Sequence, residues 1–418
     1  MPTSIPYDPS LVLMGVVTEE VLKTVEEISK LRAPVDAARD ALSSLISSKR
    51  SLTMTKAELR NLNVGTDALD AELKKLNEAI ESAASTYAAA EMTAEPQMMQ
   101  LRQKMHLVHK SIESPVDSLR SEIKTMPLAA DTINMDVQYF SFDSNSQKSA
   151  AYSAQIASYV SGAVSSVFGA EMSKKVGTAA SGQVSRQVGS HSIDGTLVLS
   201  VSCTHKKAAI VAPFVLHVEK AIKVWNGLFP SKKLDPTSAT SMMKYAMNES
   251  QEDKEKFSII SGTTLGSSFV AMVHVLNPSG SMEATAMSMQ RTMNAGSCFA
   301  NMMVTGKAGV DAKFASDIKN LLSQQNMQSH VTVLTMGMAP TTVANEGANE
   351  VTIEEAIDVN SMMRVLDEYM KRTAEGASGV PINYYLRDIG RKMLAQMWAA
   401  KYQPGKFMNI KYDDDDDA

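Results

Sequence analysis

Cysteine, tryptophan and long hydrophobic runs are all scarce in this chain. Its 418 residues hold two cysteines, Cys203 and Cys298, too few for a disulfide framework. Its 29 methionines would be a liability in oxidising surroundings, so synthesis in the cytoplasm is expected. The first lysine is Lys23 and the early apolar run Leu11 to Val17 is short, so no secretory signal is expected. Release from the cell would need lysis or an unusual route. An apolar run of about 20 residues rich in Leu, Ile and Phe, as an ordinary spanning helix requires, is also missing.

Strong net charge is absent too. The formal balance is -5, but it is unevenly spread. From Lys148 to Glu249 eleven Lys and Arg face five Asp and Glu, an excess of +6 that leaves -11 for the rest. A basic middle suits an anionic lipid surface. The weak total argues against a nucleic-acid partner. The acidic run Asp413 to Asp417 reads as a solvated tail.

Enzyme signatures fail in turn. Gly262-Thr-Thr-Leu-Gly266-Ser-Ser268 has the glycines of a phosphate loop without its lysine, and reads as a turn at a strand end. There is no G-x-S-x-G elbow and no H-E-x-x-H pair. His106 and His109 lie one turn apart without an obvious third ligand and read as solvent-facing. Cys203 and His205 would share one strand face, with His217, His274 or Cys298 as neighbours, but a packed cysteine and a hydrogen-bonded histidine are the simpler reading. No metal, cofactor or catalytic residue is expected.

What the sequence does have is helical periodicity. Val21, Val25, Ile28, Leu31, Val35, Ala38, Leu42 and Leu45 recur at three and four, as do Leu69, Leu73, Leu76 and Ile80 after Gly65. A third set, Leu101 to Met126, keeps the spacing past Pro96. Thr18 marks a helix start, Thr55 with Glu58 a possible capping box, and Pro34 and Pro115 possible kinks. Strands are expected at Met135–Phe142, Thr196–Cys203, Phe269–Leu276 and His330–Met336. Ala208 to Trp225 suits a helix kinked at Pro213, and Val310, Phe314, Ile318 and Leu322 another helix. Helices opening at Thr352 with Glu355 and at Pro381 complete the pattern. The expected class is α+β, predominantly helical: an antiparallel bundle over 1–192, an α/β unit over 193–340, and C-terminal helices with a tail over 341–418.

Ser149 to Ala170 stands apart, because 22 residues pass without a charge and most are Ala, Ser, Gly, Val or Tyr. Its bulkier members Tyr152, Ile156, Val160, Val164, Val167 and Phe168 lie mostly three or four apart. Such a segment can pack in a soluble bundle or move into a membrane among copies of itself. Lys206, Lys207, Lys220, Lys223, Lys232 and Lys233, near Phe214, Trp225 and Phe229, would suit an anionic headgroup surface.

Three long helices, an uncharged segment flanked by Lys148 and by Glu171, Lys174 and Lys175, and a basic centre together resemble the layout of long-helix α-helical pore-forming toxins over about residues 15–190. The resemblance implies a monomer that refolds, oligomerises and inserts amphipathic helices into a lipid membrane. The expected function is thus a membrane-active, pore-forming homo-oligomer. A non-enzymatic self-assembling helical protein is the alternative, and an enzyme sited in the α/β unit the third.

Overall fold

The computed structural model describes residues 3–127, 133–142, 149–165, 167–190, 193–247, 255–276, 282–294, 329–338, 351–356, 358–375 and 379–405. Two long strands form its spine, β5 (Gly195–Val211) and β6 (Lys256–Val275), paired antiparallel along most of their length. The shorter strands flank them: β1 (Thr3–Pro6), β2 (Val16–Val17), β3 (Ile123–Pro127), β4 (Ile133–Ser141), β7 (Ser329–Met336), β8 (Thr352–Ala356) and β9 (Val380–Gly390). In the lower half the order is β1-β9-β6-β5-β3, with β2 on the first residues of β6. In the upper half β4 replaces β3 beside β5, while β7 replaces β9 beside β6 and carries β8. The halves meet where the register shifts between Thr204 and Ala208 and between Ile260 and Leu265. Such irregularities bend and twist a sheet.

Side-chain alternation then divides the sheet between separate cores. Val198, Val270, Met272, Leu334 and Met336 pack under helices on one face. Leu197, Val201, Phe269, Ala271, Val273, Val331 and Val333 face the other way, against α7 (Met282–Asn294) and α8 (Val359–Glu375). A third core gathers around the start of β6. There Phe257, Ile259 and Ile389 meet Trp225 of α5 (Val218–Leu228), Met242 of α6 (Ala239–Met247) and Trp398 of α9 (Arg391–Tyr402).

The first face is covered by two helical hairpins. α1 (Glu19–Asn61) and α2 (Asp67–Ser111) run antiparallel, and α1 spans about 65 Å at 1.5 Å per residue. As expected, Thr18 caps α1, its hydroxyl accepting from the Val21 amide at 3.3 Å. Beneath lies the shorter hairpin of α3 (Ser149–Ser165) and α4 (Ala170–Ser190).

The α+β class is borne out, and each expected strand is present, although β5 and β6 extend well beyond the ranges read from sequence. Several other expectations are corrected. The third periodic set is not a helix: α2 continues through Pro96 and takes Leu101, Met105 and Val108, whereas Ile123 and Met126 belong to β3 and Leu119 is exposed. Thr55 is interior to α1, where its hydroxyl donates to the Ser51 carbonyl, and Pro115 lies outside any helix. Residues 208–211 end β5, so the expected helix begins only at Val218. Thr352 and Glu355 pair with β7, and Asp358 caps the following helix by accepting from the Ser361 amide. Pro381 sits in β9, whose buried positions alternate before α9 begins at Arg391. Gly262 to Ser268 is mid-strand, where a Cβ on Gly266 would meet the Cys203 carbonyl at 3.0 Å. The sheet draws strands from all three expected segments, crossing both boundaries placed at 192 and 340. Residues 310–322 and the acidic tail lie outside the described residues.

Candidate membrane-entry segment

Strand register shows where the small-residue hairpin is rooted. β4 and β5 are antiparallel neighbours, with Ser141 opposite Gly195, and α3–α4 fills the connection between them. A two-residue turn could join such a pair, yet residues 142–194 intervene. At the same sheet end Val275 of β6 pairs with both Gly195 and Ser329, so residues 276–328 form a second insertion of identical length. Four aligned strand ends thus carry two inserted segments.

The packed stripe of the first insertion is unusually regular. Tyr152, Ile156, Val160, Val164, Phe168, Met172, Val176, Ala180 and Val184 are all buried, and Val188 packs against the same core. All are four residues apart. A spacing of four lies close to the 3.6 period of a helix and is also an even number, so in an extended chain these side chains would share one strand face. The odd-numbered residues between them include Ser153, Gln155, Ser161, Ser173, Lys175, Ser181, Gln183, Ser185 and Gln187, with Tyr159 and Val167 the large apolar exceptions. Sequence reading recognised the helical spacing only; the parity of the positions was the signal that could have revealed the second.

In the helical state the hairpin is tied down from three sides. The Tyr152 hydroxyl lies 3.1 Å from the Phe140 carbonyl and 2.9 Å from Thr196 Oγ1. Ser202 donates to the Ala163 carbonyl at 3.3 Å. Lys174 of α4 forms an ion pair with Glu95 of α2. α3 and α4 pack tightly at Gly177, where a Cβ would stand 2.8 Å from the Ala157 carbonyl. Alongside, Arg50 of α1 donates to both Asp136 carboxylate oxygens at 2.8 and 3.1 Å and to Gln138, bracing the long hairpin on β4. All six expected insertion residues, Tyr152, Ile156, Val160, Val164, Val167 and Phe168, are therefore core residues here.

The expected anionic-surface lysines lie elsewhere. Lys220, Lys223, Lys232 and Lys233 belong to α5 and its following turn, near the start of β6 and at the opposite end from the inserted segments. Lys220 pairs with Glu113 and Lys232 with Glu255, each at 2.5 Å, while Lys223 and Lys233 are exposed. The side chains of Lys206 and Lys207 lie outside the described residues, although their backbone is part of β5.

The Cys203–His205 pairing expected from strand alternation is present, with Ser267 joining it. Ser267 Oγ lies 3.4 Å from Cys203 Sγ and 2.9 Å from His205 Nε2, with Tyr369 and Thr373 alongside. All are buried, and burial raises the Cys203 thiol, leaving it protonated at neutral pH. His274 is bonded to Thr196, His217 pairs with Glu219 outside this cluster, and Cys298 is not among the described residues. His109, expected to face solvent, is buried with Nδ1 3.0 Å from the Val16 carbonyl.

Among solved structures, the chain is similar to the cytotoxin suilysin from Streptococcus suis, at 10% identity and a TM-score of 0.21, over 62% of this chain and 41% of that one. The human-specific toxin intermedilysin gives 14%, 0.23, 64% and 41%, and wild-type pneumolysin 10%, 0.24, 63% and 40%. The chain thus matches only about two fifths of the length of those toxins. At TM-scores this low the likeness carries no argument about activity. No family model matches the sequence, and no curated protein matches it.

Proposed function

We propose that the protein is membrane-active and forms pores as a homo-oligomer, and that residues 149–190 enter the bilayer as a β-hairpin continuing β4 and β5. The observation that carries this reading is the four-residue stripe rooted between two strands already in register. Helix insertion, the mechanism expected from sequence, is less well supported: among the described residues no helix is long and apolar enough to cross a membrane. A transmembrane strand needs only about 9–11 residues, with apolar and polar side chains alternating. Residues 149–170 are uncharged, and so is the return stretch 176–185 between Lys175 and Arg186. Lys174 and Arg186, the two charges on the even-numbered face, would then lie near opposite membrane surfaces. A single hairpin would expose unpaired backbone to hydrocarbon, so closure requires neighbouring copies.

A reversible tether tests this. A Cβ at Gly162 would lie 3.2 Å from Ser43 Oγ on α1, so Ser43→Cys with Gly162→Cys should form a disulfide holding α3 on the body. Dye release from liposomes is expected to vanish when the pair is oxidised and to return on reduction. Equal release from both forms, or no release by the folded parent on any liposome, would overturn the reading.

A further inference from the structure

The turn joining α1 to α2 is short, apolar at its surface and backed by positive charge. Leu62 is 71% exposed and Val64 49%. The backbone around them is fixed: Leu62 N–H donates to Glu58 and Leu59, Asn63 N–H to Arg60, and Val64 N–H to the Leu59 carbonyl at 2.9 Å. Asn63 adopts a φ of 58°, a left-handed conformation that asparagine tolerates well. These two apolar side chains are therefore presented by a turn whose backbone amides are hydrogen-bonded.

Behind the tip a cleft of about 560 Å³ opens between the helices of the hairpin. Lys49, Lys56, Arg60 and Lys74 line it against one acid, Asp70, which is already paired with Lys56. Arg60 and Lys74 form no ion pair with any described residue. Asn61, Asn77 and Thr53 add neutral hydrogen-bonding groups. The far wall holds Ser141, the last residue of β4, together with Ala284 and Met287 of α7, so the cleft lies at the sheet end from which the inserted hairpin departs.

We infer that this tip and cleft dock on a membrane surface, Leu62 and Val64 entering the interface while Arg60 and Lys74 hold the phosphate of an anionic phospholipid headgroup. The inference rests on the membrane-active reading and adds which end of the molecule meets the lipid, and which lipid. Apolar tips and adjacent cations act together at such a surface, because area burial and attraction to anionic lipid add. Docking here would bring the roots of residues 149–190 to the bilayer; docking through Lys223 and Lys233 would leave them at the distal end.

The test is flotation of the full chain with phosphatidylcholine liposomes, with or without phosphatidylserine, at low and high salt. Binding should require phosphatidylserine and weaken with salt. Arg60→Glu with Lys74→Glu, and separately Leu62→Ser with Val64→Ser, should each weaken binding by about tenfold or more. All four side chains are exposed or line an open cleft, and unchanged unfolding midpoints would confirm folded variants. Lys223→Glu with Lys233→Glu should bind like the parent. No binding to phosphatidylserine liposomes, equal binding without that lipid, insensitivity to the four tip substitutions, or loss confined to the Lys223/Lys233 variant would each overturn the inference. A parent that floats as expected yet never releases dye would sink the pore reading and leave this docking surface standing. Dye release that ignores both phosphatidylserine and the tip would do the reverse.

Discussion

The two helical hairpins on one sheet face are built from different kinds of helix. α1 and α2 carry charges throughout, with ion pairs at helical spacing such as Lys23–Glu19 and Lys30–Glu26. The buried positions of α1, Val21, Arg32, Val35, Arg39, Leu42 and Ile46, fall on odd and even numbers alike. Extended, they would scatter over both faces of a strand. In α3–α4 and the turn between them the buried apolar side chains larger than alanine are even-numbered apart from Tyr159 and Val167. The first hairpin is thus consistent with helix alone, while the second fits helix against a core and strand against lipid. Small residues reinforce the contrast, because Ser, Gly and Val give α3–α4 weak helix propensity, so its helices depend on the packing around them.

The sharpest way to break this comparison is a charge placed where the two states disagree. Thr178 is exposed on α4 yet even-numbered, so Thr178→Arg should leave the soluble fold within about 0.5 kcal/mol of the parent. In a transmembrane strand it would meet lipid, at a cost of about 2–4 kcal/mol near mid-depth. Leakage should collapse. Ser181→Arg, odd-numbered and facing the lumen of such a barrel, should leak nearly as the parent does. Dye release that falls equally for both, measured alongside unfolding midpoints, would remove the strand reading and favour insertion as a helix.

Gly177 gives a smaller effect of opposite sign. A valine there would press on the Ala157 carbonyl and on Ser161, destabilising the packed hairpin by about 1–3 kcal/mol. In a strand the same valine is favourable. Gly177→Val should therefore lower the thermal midpoint and speed dye release together. Ala84→Val in the buried face of α2 should lower the midpoint without speeding release. If both variants accelerate leakage alike, general loosening rather than departure of α3–α4 sets the rate.

Much of this was legible in the sequence where one period dominated. Val21 to Leu45 and Leu69 to Ile80 announced helices, and Thr196 to Cys203 announced a strand. Misreadings arose where short-range signals competed with pairing partners far away. Leu119, Ile123 and Met126 keep a helical spacing, but β5 supplies an edge that draws Ile123 and Met126 into β3. Thr352 and Glu355 imitate a helix start, but β7 pairs with both. Pro381 imitates the first turn of a helix, yet lies where the register beside β6 is already irregular. The candidate segment was visible as uncharged and amphipathic. Its roots were not, because the match of Ser141 with Gly195 is a long-range register that composition does not encode. The tip at Leu62 and Val64 passed as an ordinary break between helices, since exposure of an apolar residue is a tertiary fact.

The smallest expected effect concerns how the long hairpin, rather than the short one, is fastened. His109 sits in the last turn of α2, its ring against Gly15, where a Cβ would come within 2.5 Å of Nε2. A carbonyl can only accept, so Nδ1–H donates to Val16 and the neutral tautomer is fixed. Burial, with His106 nearby, holds the folded pKa below the ordinary 6.5, against the partial support of that hydrogen bond. The unfolded chain therefore takes up the proton first. Stability from this group is complete above about pH 6.5 and is lost as pH falls through the lower folded pKa. His109→Gln should cost about 1 kcal/mol at neutral pH through an imperfect replacement of one buried hydrogen bond. It should also flatten the pH dependence of the unfolding midpoint just below 6.5. A parent whose midpoint is already flat there, or a variant that keeps the full slope, would show that His109 does not carry it. Because the histidine clamps α2 to β2, leakage by the tethered Ser43→Cys, Gly162→Cys protein should stay absent across the same pH range while oxidised.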